Sequence, residues 1–348
     1  MTTTRITIRK PDDWHLHVRD GEMLKAVLPF TAKNFGRAIL MPNLVPPVRT
    51  TADGKAYRER VMAALPPGSK FKPLITCYLT DDTDPDDVER GFRDGLFTGV
   101  KLYPAHATTN SAFGVTDYAR IARVLERMEK IGMPFLMHGE YVAPDIDIFD
   151  REAVFIERLL SKWIKQFPGL RMILEHLSSK EGVDFVASTA PQLGGTITPY
   201  HMMLTRTDWL GHGLKPYMYV MPVIKTERDR IALRQAATSG KACYFLGTDS
   251  APHPYAKKVS VSGIPGMFNA PVAIETYAQV FEEEGALDKL ETFASLNGPK
   301  HYRMPPNEET ITLEKTAWTA PEEVKVSGPD ERALIYRGGE TIAWKVVN

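Results

Sequence analysis

Eight short runs of apolar and β-branched residues, at 13–18, 37–41, 74–79, 99–103, 135–137, 172–175, 195–198 and 243–246, alternate with longer amphipathic stretches, and this alternation most restricts the fold. A strand followed by a helix eight times over is the pattern of a closed parallel barrel, because each crossover helix covers the outer face of the strands it joins. The helical stretches include 53–64, 86–95, 117–131, 150–166, 181–187 and 227–239, several opened by an aspartate where an N-cap belongs. A doubly wound open sheet would be expected to show a glycine-rich turn after its first strand. Here Gly21 stands alone after Asp20, and no P-loop lysine motif occurs. Two more helices are expected at 271–284 and 287–296. Past Pro305 the chain becomes turn-rich and β-like, with strands at 332–336 and 341–346 around Gly338-Gly339. The expected fold is therefore α/β: a (β/α)8 TIM barrel forming one domain over 1–348, with 305–348 as a small C-terminal strand-bearing extension packed on it.

Charge narrows the partners. Lys plus Arg and Asp plus Glu are equal at 43 each, so there is no basic field for nucleic acid and no acidic tail. The two cysteines, Cys77 and Cys243, are too few and too far apart for a disulfide framework or a thiolate zinc site, and they suit a reducing compartment. Residues 1–10 alternate Thr and Arg with Ile and lack an apolar leader core, and no run of roughly 18 apolar residues occurs anywhere. A cytoplasmic protein without a membrane partner is expected.

Barrels of this kind carry their chemistry where the strands end. The first predicted strand holds His15 and His17, which point to one side of an extended chain. Alone, such a pair suits a polar barrel lining as well as a metal site. Asn43 falls just past the second strand, Lys101 on the fourth, His138 at the end of the fifth, His176 at the end of the sixth and Asp249 after the eighth. Four of the nine histidines thus fall at strand ends, which favours a metal site over a lining. Lys101 by itself reads as an exposed or ion-paired lysine. Glu140 and Glu175 stand beside presumptive ligands, as hydrogen-bond partners to them or as simple ion-pair residues. His106, His201, His212 and His301 have no assigned role.

The stretches Asp13-Trp14-His15-Leu16-His17-Val18-Arg19 and Gly247-Thr248-Asp249-Ser250-Ala251-Pro252-His253, with Lys258 beyond, resemble the two signature segments of dihydroorotases, within the amidohydrolase superfamily. Met41-Pro42-Asn43, the segment from Gly99 to Pro104, Met137-His138-Gly139-Glu140, Glu175-His176 and Asn269-Ala270-Pro271 resemble the shorter bacterial type. The resemblance runs from about Lys10 to about Pro299 and is specific in combination.

It implies two zinc ions per subunit. One is held by His15, His17 and Asp249, the other by His138 and His176, and Lys101, carboxylated by carbon dioxide, bridges them. A bare ammonium between two dications would be repelled, whereas a carbamate supplies anionic oxygens of the kind zinc accepts. Such a centre lowers the pKa of a shared water from 15.7 to near ~7, and Asp249 is the implied catalytic proton carrier. The small-molecule substrate implied is dihydroorotate or carbamoyl aspartate. Its contacts are His17, Arg19, Asn43, His138 and His253, with backbone groups at Met221 and Pro265. Arg19, two residues beyond His17 on the same strand face, can grip a carboxylate through its fork of donors. Proline offers no N–H, so Gly266 or a water is expected to replace an amide contact at Pro265. Thr108 and Thr109 imply a lid over the site, and the family is homodimeric. Among rivals, a hydantoinase or allantoinase would carry a β-sandwich built partly from residues before the barrel, and only fourteen residues precede His15. A non-catalytic relative would be expected to have lost ligands, and every ligand type is present.

Overall fold

The computed structural model describes residues 4–211, 213–328 and 331–347. After β1 (Arg5–Arg9) the chain lays down eight parallel strands: β2 (Asp12–Leu16), β3 (Arg37–Leu40), β4 (Lys72–Tyr78), β5 (Phe97–Leu102), β6 (Phe135–Met137), β7 (Met172–Leu174), β8 (Leu193–Ile197) and β9 (Tyr244–Leu246). They are hydrogen-bonded in that order among the described residues. The first and last are sewn together by His17 N–H to the Ser250 carbonyl (2.8 Å) and Asp249 N–H to the His15 carbonyl (2.7 Å). The sheet is therefore the expected (β/α)8 barrel, and its seam joins the two signature segments.

Most strands end a residue or two earlier than the sequence suggests, so apart from His15 and Lys101 the chemistry-bearing residues lie in the loops just past them. The expected helix starts shift as well. Asp53 is not an N-cap. Thr50 caps that helix and Asp53 closes a capping box three residues on, and Thr226 and Asp229 do the same at the start of Glu227–Ala237. The stretch 117–131 is helical only over Ala122–Ile131, and 150–166 contains a π-turn at Ile156–Leu160. The helix after β2, Gly21–Asn34, holds an internal Pro29 that hides it from a propensity reading.

The barrel interior is plugged by Trp14, Ile39, Met41, Leu136, Ile173, Phe245 and Tyr302. Trp14 stacks on Tyr302 at 4.3 Å, and a Cβ on Gly298 would fall 1.8 Å from the indole nitrogen, so only glycine lets this helix approach.

The extension differs from expectation in one respect. It is not built from the C-terminus alone. β1 pairs antiparallel with β10 (Thr310–Glu314), which also pairs with β15 (Lys345–Val346). Short ribbons β11 (Trp318–Thr319) with β14 (Thr341–Ile342), and β12 (Glu323–Ser327) with β13 (Glu331–Leu334), complete it. Under β15 lies Glu275, fully buried, one oxygen accepting from Val346 N–H at 3.3 Å, and burial raises its pKa to about 7. Between the ordinary 4.5 and about 7 the folded chain keeps a proton that the unfolded chain has released. Stability therefore falls as pH rises through that window and levels off above it. Glu275→Gln should remove up to about 3 kcal/mol of this slope, measured as the difference between wild-type and variant urea midpoints at pH 5 and pH 8. An equal pH slope in the two proteins would refute the assignment.

Candidate metal centre

His15 sits in β2 and His17 just past its end, and both are buried at the seam. Asp249 reaches them from across it. One of its oxygens, Oδ1, lies 3.4 Å from His15 Nε2 and 3.1 Å from His17 Nε2. These three side chains place one ligand atom each within 4.8 Å of one another, a possible metal site. The seam is bolted by Asp13, whose carboxylate accepts from Thr248 N–H (2.9 Å) and hydroxyl (2.5 Å). Asp13 fixes the residue before Asp249, a task its place in the sequence did not announce.

The neighbouring strands bring the other candidates to the same rim. The His176 ring lies 4.9 Å from that of His15 and 4.8 Å from that of His138. Lys101, on β5, is completely buried. Its ammonium has no hydrogen-bond partner, and burial lowers its pKa to about 8. His176 Nδ1 is also buried without a partner. A cluster of imidazoles, a carboxylate and an unsatisfied amine fits a metal centre far better than a packed core, where such atoms would find partners. Burial, then the like charge of Arg19, lowers His17 to about 3, and burial also lowers His138 and His176. Their lone pairs are thus free at neutral pH. Burial opposes ionisation of Asp249, but donation from His15 and His17 holds it well below the usual carboxylate range.

Two of the imidazoles are oriented from behind. Glu175 lies 3.0 Å from His15 Nδ1 and accepts from the Thr196 hydroxyl at 2.6 Å. Glu140 lies 2.6 Å from His138 Nε2, leaving Nδ1 as that ring's free donor atom. Such carboxylate partners set tautomer and basicity. Three of the site's residues, Arg19, His176 and Asp249, have left-handed backbones, with φ of 61°, 42° and 44°. Non-glycine residues hold that conformation only where surroundings over-determine it. For the loop after β7 the clamp is buried Glu152, which accepts from the backbone and hydroxyls of Ser178 and Ser179.

A narrow cleft over these residues is also lined by Arg19, Asn43, Met221 and Pro265. Arg19 does not continue the strand face as expected: β2 ends at Leu16, and the chain turns at Arg19 to enter the next helix. Its Nε donates to the Pro252 carbonyl (3.0 Å) and Nη2 lies 2.9 Å from His253 Nε2, while Nη1 is buried without a partner. Asn43 donates to the Thr109 carbonyl at 2.9 Å and keeps Oδ1 unpaired. His253 stands behind Arg19, its Nε2 also 2.9 Å from the Pro265 carbonyl, and is not among the cleft's lining residues. Gly266 does not replace the missing proline donor, because its N–H is given to the Tyr219 carbonyl at 2.9 Å. Thr108 and Thr109 close the cleft, the Thr109 hydroxyl donating to the Pro265 carbonyl at 3.1 Å. Tyr103 and Ala251 line it too; both fall within the resembling segments, but the sequence assigned neither a role.

The unassigned histidines lie elsewhere. His106 is exposed, His201 is buried between Thr198 and the Pro222 carbonyl, and His301 lies 3.2 Å from the Met172 carbonyl. His212 lies outside the described residues.

Comparison with known proteins finds relatives along nearly the whole chain. The amidohydrolase family matches residues 11–321. A dihydroorotase from Erwinia tasmaniensis is 52% identical over 343 residues, covering 99% of this chain and 98% of the relative. Among solved structures, dihydroorotase from Saccharomyces cerevisiae in complex with 5-fluoroorotic acid superposes with a TM-score of 0.91 at 31% identity, over 99% of each chain. Dihydroorotase from Campylobacter jejuni gives 0.90 at 31% identity, over 100% of this chain and 99% of that one.

Proposed function

The chain belongs to the amidohydrolase family and to the dihydroorotases within it, and from that premise we propose a dinuclear zinc enzyme that interconverts N-carbamoyl-L-aspartate and (S)-dihydroorotate in de novo pyrimidine biosynthesis. His15, His17 and Asp249 would hold one ion and His138 and His176 the other, with Lys101 between them as its carboxylated form. The observation that carries this reading is the buried, partnerless Lys101 amine beside the imidazoles. Its lowered pKa enlarges the neutral fraction that can add carbon dioxide. When bound, two zinc ions supply an acidified water and a Lewis-acid pull on the amide carbonyl.

The chain's own residues do the rest. Asp249 takes a proton on the way to ring opening and returns it to the departing nitrogen, which leaves poorly until protonated. Arg19 offers its free Nη1 donors, and Asn43 its side-chain amide, to the substrate carboxylate, with His253 backing Arg19. The carboxylated ring of the ligand in the yeast relative supports an anionic cyclic substrate. His17, His138, Met221 and Pro265 line the same cleft and would border the ring. The protein works in this reading as a cytoplasmic homodimer of single-domain subunits, 305–348 being an extension, with no nucleic-acid or membrane partner. Among the described residues no helix is long and apolar enough to cross a membrane.

The test is turnover of dihydroorotate and of carbamoyl aspartate by purified protein, beside hydantoin and allantoin, with zinc counted per chain. Activity confined to the uncharged rings, or full activity after chelation, would end the proposal. Thr108 and Thr109 form its lid. Loss of the Thr109 hydroxyl should cut turnover by about tenfold, with zinc content unchanged. A Thr109→Ala enzyme as fast as wild type would discard the lid.

A further inference from the structure

One buried group at the centre has no part in the chemistry above. Tyr200 lies in the short helix Pro199–Met203 that follows β8, with no exposed surface. Its hydroxyl donates to Asp249 Oδ2 at 2.5 Å. The other carboxylate oxygen faces His15 and His17, so the two oxygens of Asp249 have different neighbours. Tyr200 does not line the cleft, and so it reaches the reaction only through Asp249.

Asp249 needs such a restraint. Its backbone is left-handed, held by its N–H to the His15 carbonyl, and a carboxylate turns readily about its last torsion unless a directional bond stops it. Tyr200 is itself immobile. Thr198 caps its helix by accepting from His201 N–H, and His201 bridges from Thr198 (3.0 Å) to the Pro222 carbonyl (3.1 Å). The phenol ring packs 4.8 Å from the His201 ring and 6.4 Å from that of Tyr336.

We infer that Tyr200 is a positioning residue for the ring-opening reaction: its hydroxyl fixes the plane of the Asp249 carboxylate, assigning Oδ1 to the ligand cluster and holding Oδ2 in one orientation for proton transfer. This rests on the reading of Asp249 as proton carrier.

Tyr200→Phe removes one oxygen and keeps the ring. The variant should lose about 10- to 100-fold in kcat in both directions, the scale of a hydrogen bond to a charged group. KM for dihydroorotate should stay within about twofold because Arg19 and Asn43 are untouched. Zinc content and the unfolding midpoint should match wild type, and diffraction from the variant should show the Asp249 carboxylate rotated or split between conformers. Wild-type kcat with an unmoved carboxylate overturns the inference. So does a loss of kcat that comes with loss of zinc or a lowered unfolding midpoint, because a merely structural tyrosine would behave that way. A wild-type enzyme inert on dihydroorotate would instead defeat the proposed function, and the carboxylate's orientation in Tyr200→Phe crystals would still judge Tyr200.

Discussion

Lys101→Ala should turn over dihydroorotate at least about 10³-fold more slowly than wild type, a loss of several kcal/mol of transition-state stabilisation, and should purify with less zinc per chain. The lysine amine is buried with no hydrogen-bond partner. An uncompensated buried ammonium is costly, and the group escapes that cost by losing its charge or by being converted into something its neighbours can bind. In the proposed centre carboxylation would do the second, turning the cation into an anionic group between His15-His17 on one side and His138-His176 on the other. Alanine cannot be carboxylated, so those oxygens would be lost with the side chain. Short carboxylic acids added to Lys101→Ala fit the vacated space and should restore part of both zinc content and rate. Metal analysis and steady-state rates with and without acetate are the measurements. Full zinc and full rate in the plain variant would show that the lysine is a bystander.

Asp249→Asn should cost about 10²- to 10⁴-fold in kcat, the range of general acid–base catalysis. Asparagine keeps the shape and can still accept from Tyr200, but its amide cannot carry the proton to the departing nitrogen. KM should move less than kcat, because Arg19 and Asn43, the proposed carboxylate contacts that line the cleft, are untouched. Initial rates in both directions would decide it. A variant within tenfold of wild type would assign the proton to another group.

The barrel could be read from the chain because its strands are short, apolar and alternate with amphipathic stretches, and because the signature segments that meet at the seam each contain unusual residues. β1 was missed. Its alternation of arginine with β-branched residues is that of an edge strand, but it has no neighbour in sequence to pair with, since its partner β10 lies at the other end of the chain. Arg19 was placed on a strand because periodicity extends a strand until something stops it, and the left-handed turn at that residue has no compositional mark. Asp13, Glu152 and Tyr200 share another difficulty. Each is an ordinary residue type whose meaning lies wholly in what it touches 235, 26 and 49 residues away. Glu140 and Glu175 were legible as far as adjacency allowed, and only the geometry shows which ring each one holds.

The seam has a bearing on how the protein is made. His17 and Asp249 are separated by 232 positions, and the Thr7 and Thr312 hydroxyls that clip β1 to β10 by 305. A ribosome delivers the histidine half of the ligand set long before the aspartate half, and the first strand waits for nearly the whole chain to emerge before it can pair. Such distant pairings form late, so the proposed His15-His17-Asp249 site could take up a metal only in the finished polypeptide.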